Sequence, residues 1–516
     1  MASGGELHPR SDAQPKVRPH TLALRSQFAH SRSVNSRLDA RPVAVVALAL
    51  ALASCAVNDG RIDVALVTAP QSDIAARAET LTIWVSSPPT EVTTTRSAGF
   101  ALSLAVPGEG QLATVAAVVR DANGALIAWG QTPPFVLGPI NASVRIFVAP
   151  PMSLEPAPAQ LSAPRTQLGV AALSLGALFA GGNDATNAPR SEVEVYNAFT
   201  HEVALGLNLP QARRAPAVAY RAGSAVYVAG GTTTVSDEPN LASWRFDTAV
   251  APAGQYQTLR DTAGLRAGPR IALPLASRID AFALLGNPAA LLDGTTGTVT
   301  PLAGRWPAVG APLVVDAGAQ TWVGGVVVGV EQAAPVAATL TMNAAGAVTV
   351  TPFAGPPTLA RSEHAVVAAG ATAFVVAGQH AAEPRAAPTN IVKMQFAVGA
   401  GALMPSAMTE VPNVLQTGRV ASAAAVTADG RYLLVAGGVT PEGAALPNAE
   451  VIDAETLQPL AGLPWLAGHR DAVAVALPNG AVLLAGGRGA DGVPSALLWL
   501  FTPAVPAHLQ VLGATD

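Results

Sequence analysis

Leu433-Leu434-Val435-Ala436-Gly437-Gly438 is an apolar run that stops on two glycines, and the chain repeats that ending along most of its length. The same close ends Leu178-Phe179-Ala180-Gly181-Gly182, Val226-Tyr227-Val228-Ala229-Gly230-Gly231 and Val482-Leu483-Leu484-Ala485-Gly486-Gly487. Weaker copies are Leu284-Leu285-Gly286-Asn287, Thr321-Trp322-Val323-Gly324-Gly325 and Val375-Val376-Ala377-Gly378-Gln379. Successive first glycines lie 49, 56, 38, 54, 59 and 49 residues apart. A recurrence near 50 residues marks supersecondary units that bury their apolar faces only by stacking on one another.

A second landmark supports the count. An arginine stands 16 to 18 residues before six of the seven anchors: Arg165, Arg214, Arg270, Arg361, Arg419 and Arg470. The fourth copy has Ala308 there, with Arg305 nearby, while His364 and His469 sit beside Arg361 and Arg470. Between arginine and glycine run two apolar segments joined by a tight turn, as at Asp429-Gly430 and Asn479-Gly480, whose residues accept positive φ. A third run follows, for instance Asn448-Ala449-Glu450-Val451-Ile452-Asp453, and then a fourth. Four strands in each of seven units predict a β-propeller of seven blades.

The glycine pairs, the arginines and the period together resemble the kelch-repeat family. The expected fold class is therefore all-β, a seven-bladed kelch-like β-propeller over residues 161–516. Within that resemblance the arginines and the two histidines bridge neighbouring blades; on the other reading, Arg165, Arg214, Arg270, Arg361, His364, Arg419, His469 and Arg470 line one face and hold an anionic ligand such as an acidic sugar. The last blade is expected to supply its own outer strands from residues 497–501 and 509–512, with residues 152–154 as the alternative closure.

Residues 43–53 are uninterruptedly apolar, preceded by Arg37 and Arg41 and followed by small residues, which is the order of a secretory signal too short to span a bilayer. Cys55, the sole cysteine, comes next, in Leu52-Ala53-Ser54-Cys55. This run resembles the bacterial lipobox. It implies cleavage between Ser54 and Cys55 and acyl chains on Cys55 that anchor the chain to a membrane. Ala56 in place of aspartate points to the outer membrane of a cell envelope. Residues 1–54 are then absent from the mature chain, translation is expected to begin further in, near Val34, and residues 55–61 form a lipidated linker.

From 62 to 150 six short apolar runs alternate with turn signals such as Asp121-Ala122-Asn123-Gly124. They predict a small immunoglobulin-like β-sandwich without a disulfide, serving as a spacer or as a glycan-binding module.

A chain of 516 residues needs more than one core, and 12% charged residues with 48 glycines and 43 prolines suit turn-rich β structure rather than a solvated coil. Beyond Ser54 there are 23 basic and 31 acidic residues, a net charge of −8, which repels nucleic acid. The five histidines of that part, His201, His364, His380, His469 and His508, are spread too widely to predict a metal site. Galactose oxidases, a kelch-like class, use copper with a cross-linked Cys-Tyr cofactor; that cofactor is not expected here, because Cys55 is committed to the lipid. No nucleophile elbow, P-loop or dinucleotide fingerprint occurs, so no cofactor is expected. The resulting expectation is a lipid-anchored envelope protein, not an enzyme, whose propeller binds a protein or a glycan, through loops such as 232–239 and 381–389. The alternatives are a sugar-modifying enzyme of epimerase or mutarotase type using Arg361, Glu363 and His364, and a purely structural envelope component.

Overall fold

In the computed structural model the chain divides into residues 1–56 and 57–516. Residues 59–513 are described, except 97–101, 108–109, 139–141, 222, 224, 236–237, 248–253, 278, 305, 308, 332–333, 382, 384–385 and 466–469. Ser54, Cys55, Arg305, Ala308 and His469 thus lie outside the described residues.

The hairpin around Asp429-Gly430 shows how each repeat begins. The Thr427 amide donates to Tyr432 O, the Gly430 amide donates to Thr427 O, and Gly430 takes φ 74°, so Ala423–Val426 folds back on Tyr432–Ala436. The latter strand is buried throughout. The equivalent strands Gly176–Ala180, Val226–Ala229, Ala281–Leu285 and Val482–Ala485 are equally buried, because neighbouring sheets cover both faces. Strands covered on both faces read as continuous apolar runs instead of alternating ones. Fourth strands such as Glu202–Leu205 and Gln255–Thr258 are mostly exposed.

Among the described residues seven such sheets follow one another, here called sheets 1 to 7. Their first strands are Gly169–Leu173, Ala217–Tyr220, Ile271–Pro274, Gly310–Ala317, Ala365–Ala369, Ala423–Val426 and Val473–Ala476. Each packs beside the first strand of the next sheet, and the seventh packs beside the first. A separate apolar cluster fills each junction, for example Leu434, Val451, Leu484 and Phe501 between sheets 6 and 7. The fold is all-β and propeller-like, and its core is a ring of clusters rather than one centre. Sheet 3 carries a fifth strand, Arg260–Asp261, parallel to Thr298–Pro301.

Closure differs from the expectation. Residues 509–512 supply no strand, since Ala507–Gln510 is a short helix. The outer strand of sheet 7 is Ser153–Gln160, antiparallel to Leu497–Thr502, so the sheeted region begins at 153 and not at 161. A ring sewn from both ends of its sequence gains hydrogen bonds that a single-ended closure leaves unmade at the edge.

Ahead of the ring, Leu102–Pro107, Asp59–Val67 and Ala142–Phe147 form one sheet, the last two strands parallel. Pro89–Thr95, Thr80–Ser86, Val115–Arg120 and Leu126–Gln131 form a second. Ile62, Leu81, Ile83, Val85, Val115, Val119, Val144 and Ile146 make a shared core. All six expected strands are present. Pro89–Thr95 escapes a hydrophobicity reading, because this threonine-rich edge strand buries neither face.

The C-terminal segment joins the two parts. Trp129 Nε1 donates to Pro503 O (2.9 Å), and Arg120 donates to Leu512 O (3.1 Å) and Gln510 O (2.5 Å). Leu509 is fully buried against Ala116, Val118 and Trp129. Among the described residues no helix is long and apolar enough to cross a membrane.

Candidate functional site

The site is built from the arginine landmark of each repeat. Arg165, Arg213, Arg361 and Arg419 are wholly buried, and each guanidinium donates to the carbonyl at the glycine turn of its own sheet. The acceptors are Gly181 O (2.8 Å), Gly230 O (3.0 Å), Ala377 O (3.1 Å) and Gly437 O (2.9 Å). The charge is then met locally. Arg165 pairs with Glu194 and Arg419 with Glu450; Arg361 donates to Asn390 Oδ1 (2.8 Å); Arg213 lies 3.9 Å above the Trp244 ring. Burial pulls the Arg213 guanidinium down to about 9 and those of Arg165 and Arg361 to about 10, so all stay charged at neutral pH. Each guanidinium fastens the turn of its own sheet, while the carbonyls of Arg165, Arg213 and Arg419 accept the amides of Gly487 (3.0 Å), Gly182 (2.8 Å) and Gly378 (2.8 Å) in the preceding sheet, so these arginines bridge neighbouring sheets and are not displayed to a ligand.

Two landmark positions shift by one residue. Arg213, not Arg214, is the buried residue of sheet 2; Arg214 belongs to the next position, bridged to Thr232. Arg470, bridged to Arg488, matches Arg214 and not the buried arginines. Successive residues of an extended chain face opposite ways, so a slip of one exchanges a buried side chain for an exposed one. Arg270 reaches its turn from further along. Its amide faces Ala215 O (3.4 Å), as that of Ala215 does Gln167 O (2.7 Å), while its guanidinium donates to Asn287 O (3.0 Å) and Pro288 O (2.5 Å).

The glycine landmarks divide similarly. Gly181, Gly182, Gly230, Gly231, Gly286, Gly378, Gly437, Gly438, Gly486 and Gly487 all have positive φ. At Gly438 (φ +87°) a Cβ would lie 2.6 Å from Val420 O, which only glycine avoids. Gly378 is the second residue of its pair, the first being Ala377 at φ 59°. Gly324 and Gly325 stand inside the long strand Gln320–Glu331 and form no turn; there the missing Cβ makes room for Leu403 and Leu273.

Two residues beyond Arg165, Arg213, Arg361 and Arg419 the backbone turns left-handed, at Gln167, Ala215, Glu363 and Ala421, as it does at Asp471 next to Arg470, with φ between 46° and 58°. Their backbones are linked across sheets: the Gln167 amide faces Asp471 O (3.4 Å) and the Ala421 amide donates to Glu363 O (3.1 Å). At this mouth of the ring Gln167, Glu363, His364, Ala421, Ser422, Arg470 and Asp471 line a cavity of about 390 Å³. Sheets 5, 6, 7 and 1 all contribute. The volume falls at the small end of the range for small-molecule pockets.

His364 donates from Nε2 to Val328 O (3.1 Å), and burial pulls it down to about 4, so it is neutral at pH 7. Asp471 lies between Arg470 Nε (3.8 Å) and Arg488 Nε (3.7 Å). Of the residues expected at a site, Glu363, His364 and Arg470 meet here, whereas Arg165, Arg270, Arg361 and Arg419 are buried elsewhere. Gln167, Ser422 and Asp471 are new members. Their signal in the sequence is the column two or three places after each landmark, which becomes readable only once the register is correct.

His201 and His508 stay apart from the mouth. His201 is buried, accepts the Phe147 amide at Nε2 (3.1 Å) and therefore donates from Nδ1 to Tyr196 Oη (2.6 Å). His508 lies against Trp84 (4.8 Å). Among the described residues no three His, Cys, Asp or Glu side chains converge as a metal set.

No family model matches this chain, and no curated protein matches it. Two of the solved structures similar to it follow. A novel fungal alcohol oxidase of the AA5 family, in complex with copper, aligns at 13% identity over 67% of this chain and 75% of its own, with a TM-score of 0.47. YjhT aligns at 14% identity over 56% of this chain and 94% of its own, with a TM-score of 0.36. The expectation that the chain is not an enzyme is corrected by the first of these, because that protein is an oxidase, and the expectation is withdrawn.

Proposed function

We propose that this chain is a lipid-anchored cell-envelope protein in which a seven-bladed kelch-like propeller, carried on an immunoglobulin-like sandwich, binds a sugar-sized polar ligand at the mouth of the ring. The observation that carries the reading is the cavity of about 390 Å³ in which polar side chains from four sheets converge. Left-handed conformations in residues other than glycine are costly, and such strain collects where binding residues must be held in place. Of the five left-handed residues at the mouth, Gln167, Glu363 and Asp471 are polar, and all three line this cavity. The anchor is the acylated Cys55 of the lipobox-like run, and the net charge of −8 beyond Ser54 argues against nucleic acid as the ligand.

A second reading, a sugar-modifying enzyme in the same mouth, is favoured by one feature: two carboxylates, Glu363 and Asp471, share the cavity with the imidazole of His364. Groups of this kind can move protons on and off a bound sugar. Arg361 takes no part, since its guanidinium is consumed in the core of sheet 5.

A glycan array probed with the full chain tests binding, and nuclear magnetic resonance of any sugar that binds tests turnover in the same sample. Binding that Glu363→Ala leaves unchanged removes the mouth from consideration. For the anchor, palmitate labelling in cells is expected for the native chain and lost in Cys55→Ala; labelling retained in the variant overturns it.

A further inference from the structure

The mouth carries more information than its size. Asp471 is already placed between two guanidinium groups, and Arg488 is held a second time by Asn187 Oδ1 (2.5 Å). One formal charge is left without a partner and a second is only loosely paired. The Glu363 carboxylate is exposed and has no ion-pair or hydrogen-bond partner among the described residues. Arg470 has a side chain 51% exposed and only the 3.8 Å contact to its neighbour, with no side-chain hydrogen bond among the described residues. These opposite charges sit on sheets 5 and 7, on either side of sheet 6. Sheet 6 contributes only the small Ala421 and Ser422, so the cavity opens between them.

A ligand that fills this space takes both charges out of water. An unpaired charge loses its hydration without replacement, so a neutral ligand or a singly charged one leaves at least one of them uncompensated. Resting on the mouth as the ligand site, we infer that it selects a zwitterion, with a cationic amine directed to Glu363 and a carboxylate directed to Arg470. The guanidinium fork matches a carboxylate through two parallel hydrogen bonds, and an ammonium beside Glu363 makes the complementary charge-assisted bond.

Calorimetry with the full chain compares four sugars of one ring size and different charge: glucose, glucosamine, glucuronic acid and muramic acid, which carries both an amine and a carboxylate. A second set, Ala-Ala with its N-acetyl and amide derivatives, repeats the comparison without a sugar ring. In at least one set the zwitterion is expected to bind about tenfold or more tightly than either singly charged relative. Glu363→Gln should reduce the zwitterion to the affinity of the purely anionic member, and Arg470→Gln to that of the cationic one. Zwitterions that bind in neither set, or no better than neutral members, overturn the inference, as do two charge variants without effect. Ala421→Trp, which fills the cavity, separates this failure from failure of the site itself. Binding lost in Ala421→Trp but indifferent to charge refutes the zwitterion alone, and binding that survives Ala421→Trp refutes the mouth as well.

Discussion

Replacing Glu194 by leucine isolates what the buried landmark arginines do. Arg165 and Glu194 are both at 0% side-chain exposure, and the carboxylate also accepts the Ser162 amide (2.6 Å). Without it, Arg165 keeps only the carbonyls of Gly181 (2.8 Å) and Glu192 (3.0 Å) as partners. Removing one member of a buried ion pair leaves an uncompensated charge and costs about 3–5 kcal/mol. A body of this size has a steep urea dependence, so the unfolding midpoint followed by tryptophan fluorescence should fall by about 1 M. Arg165→Met should be comparably harmful, because the carboxylate is then the orphan. The double variant Arg165→Met/Glu194→Leu removes both charges and should lose much less than the two single losses added together. Losses that simply add would refute the reasoning, because additivity belongs to sites that do not interact. As a reference, Arg61→Gln at the exposed Arg61–Asp63 pair (63% and 60% exposed) should leave the urea midpoint nearly unchanged.

Acid should weaken the fold through His201 and His364, both pulled down to about 4 from 6.5 by burial. The unfolded chain binds their protons first, so this stability is complete above pH 6.5 and is lost as pH falls from 6.5 to 4, at about 3 kcal/mol for each histidine. Urea midpoints across that window should fall less steeply in His364→Asn, and an unchanged slope would count against the assignment. Gly487→Val should destabilise by more than about 2 kcal/mol, since its φ is +90° and a Cβ would lie 2.9 Å from Arg470 O. Gly492→Ala, with φ +76° and nothing within 4 Å, should cost only about 1–2 kcal/mol in the same urea titration. Leu509→Ala, emptying a fully buried site between the C-terminal helix and the first domain, should cost about 2–5 kcal/mol. Limited proteolysis should then separate residues 59–148 from the ring sooner than in the native chain.

Which of these features could be read from the sequence follows their range along the chain. The glycine turns were legible at Gly181-Gly182, Gly230-Gly231, Gly437-Gly438 and Gly486-Gly487, because positive φ is a local requirement that glycine meets. The buried second strands were legible because their apolar runs are contiguous. Where a copy drifted, pattern matching failed. Gly324-Gly325 resembles a turn but lies within a strand, and Arg213-Arg214 offers two arginines of which one is buried. Side-chain facing reverses at each step of an extended chain, so a count good to one residue does not choose between them.

The closing strand and the mouth were beyond that reach. Ser153–Gln160 pairs with Leu497–Thr502 because the last sheet needs a partner for its edge, and residues 509–512 are instead drawn onto Trp129 and Ala116. Gln167, Glu363 and Asp471 meet only after seven sheets have come round in order. The sequence by itself determined the repeats, their strands and their turns, because backbone conformation and burial periodicity are local properties. Only the tertiary structure decided which distant edges pair and which charges lack a close partner at the mouth, because those depend on competition for burial between segments hundreds of residues apart.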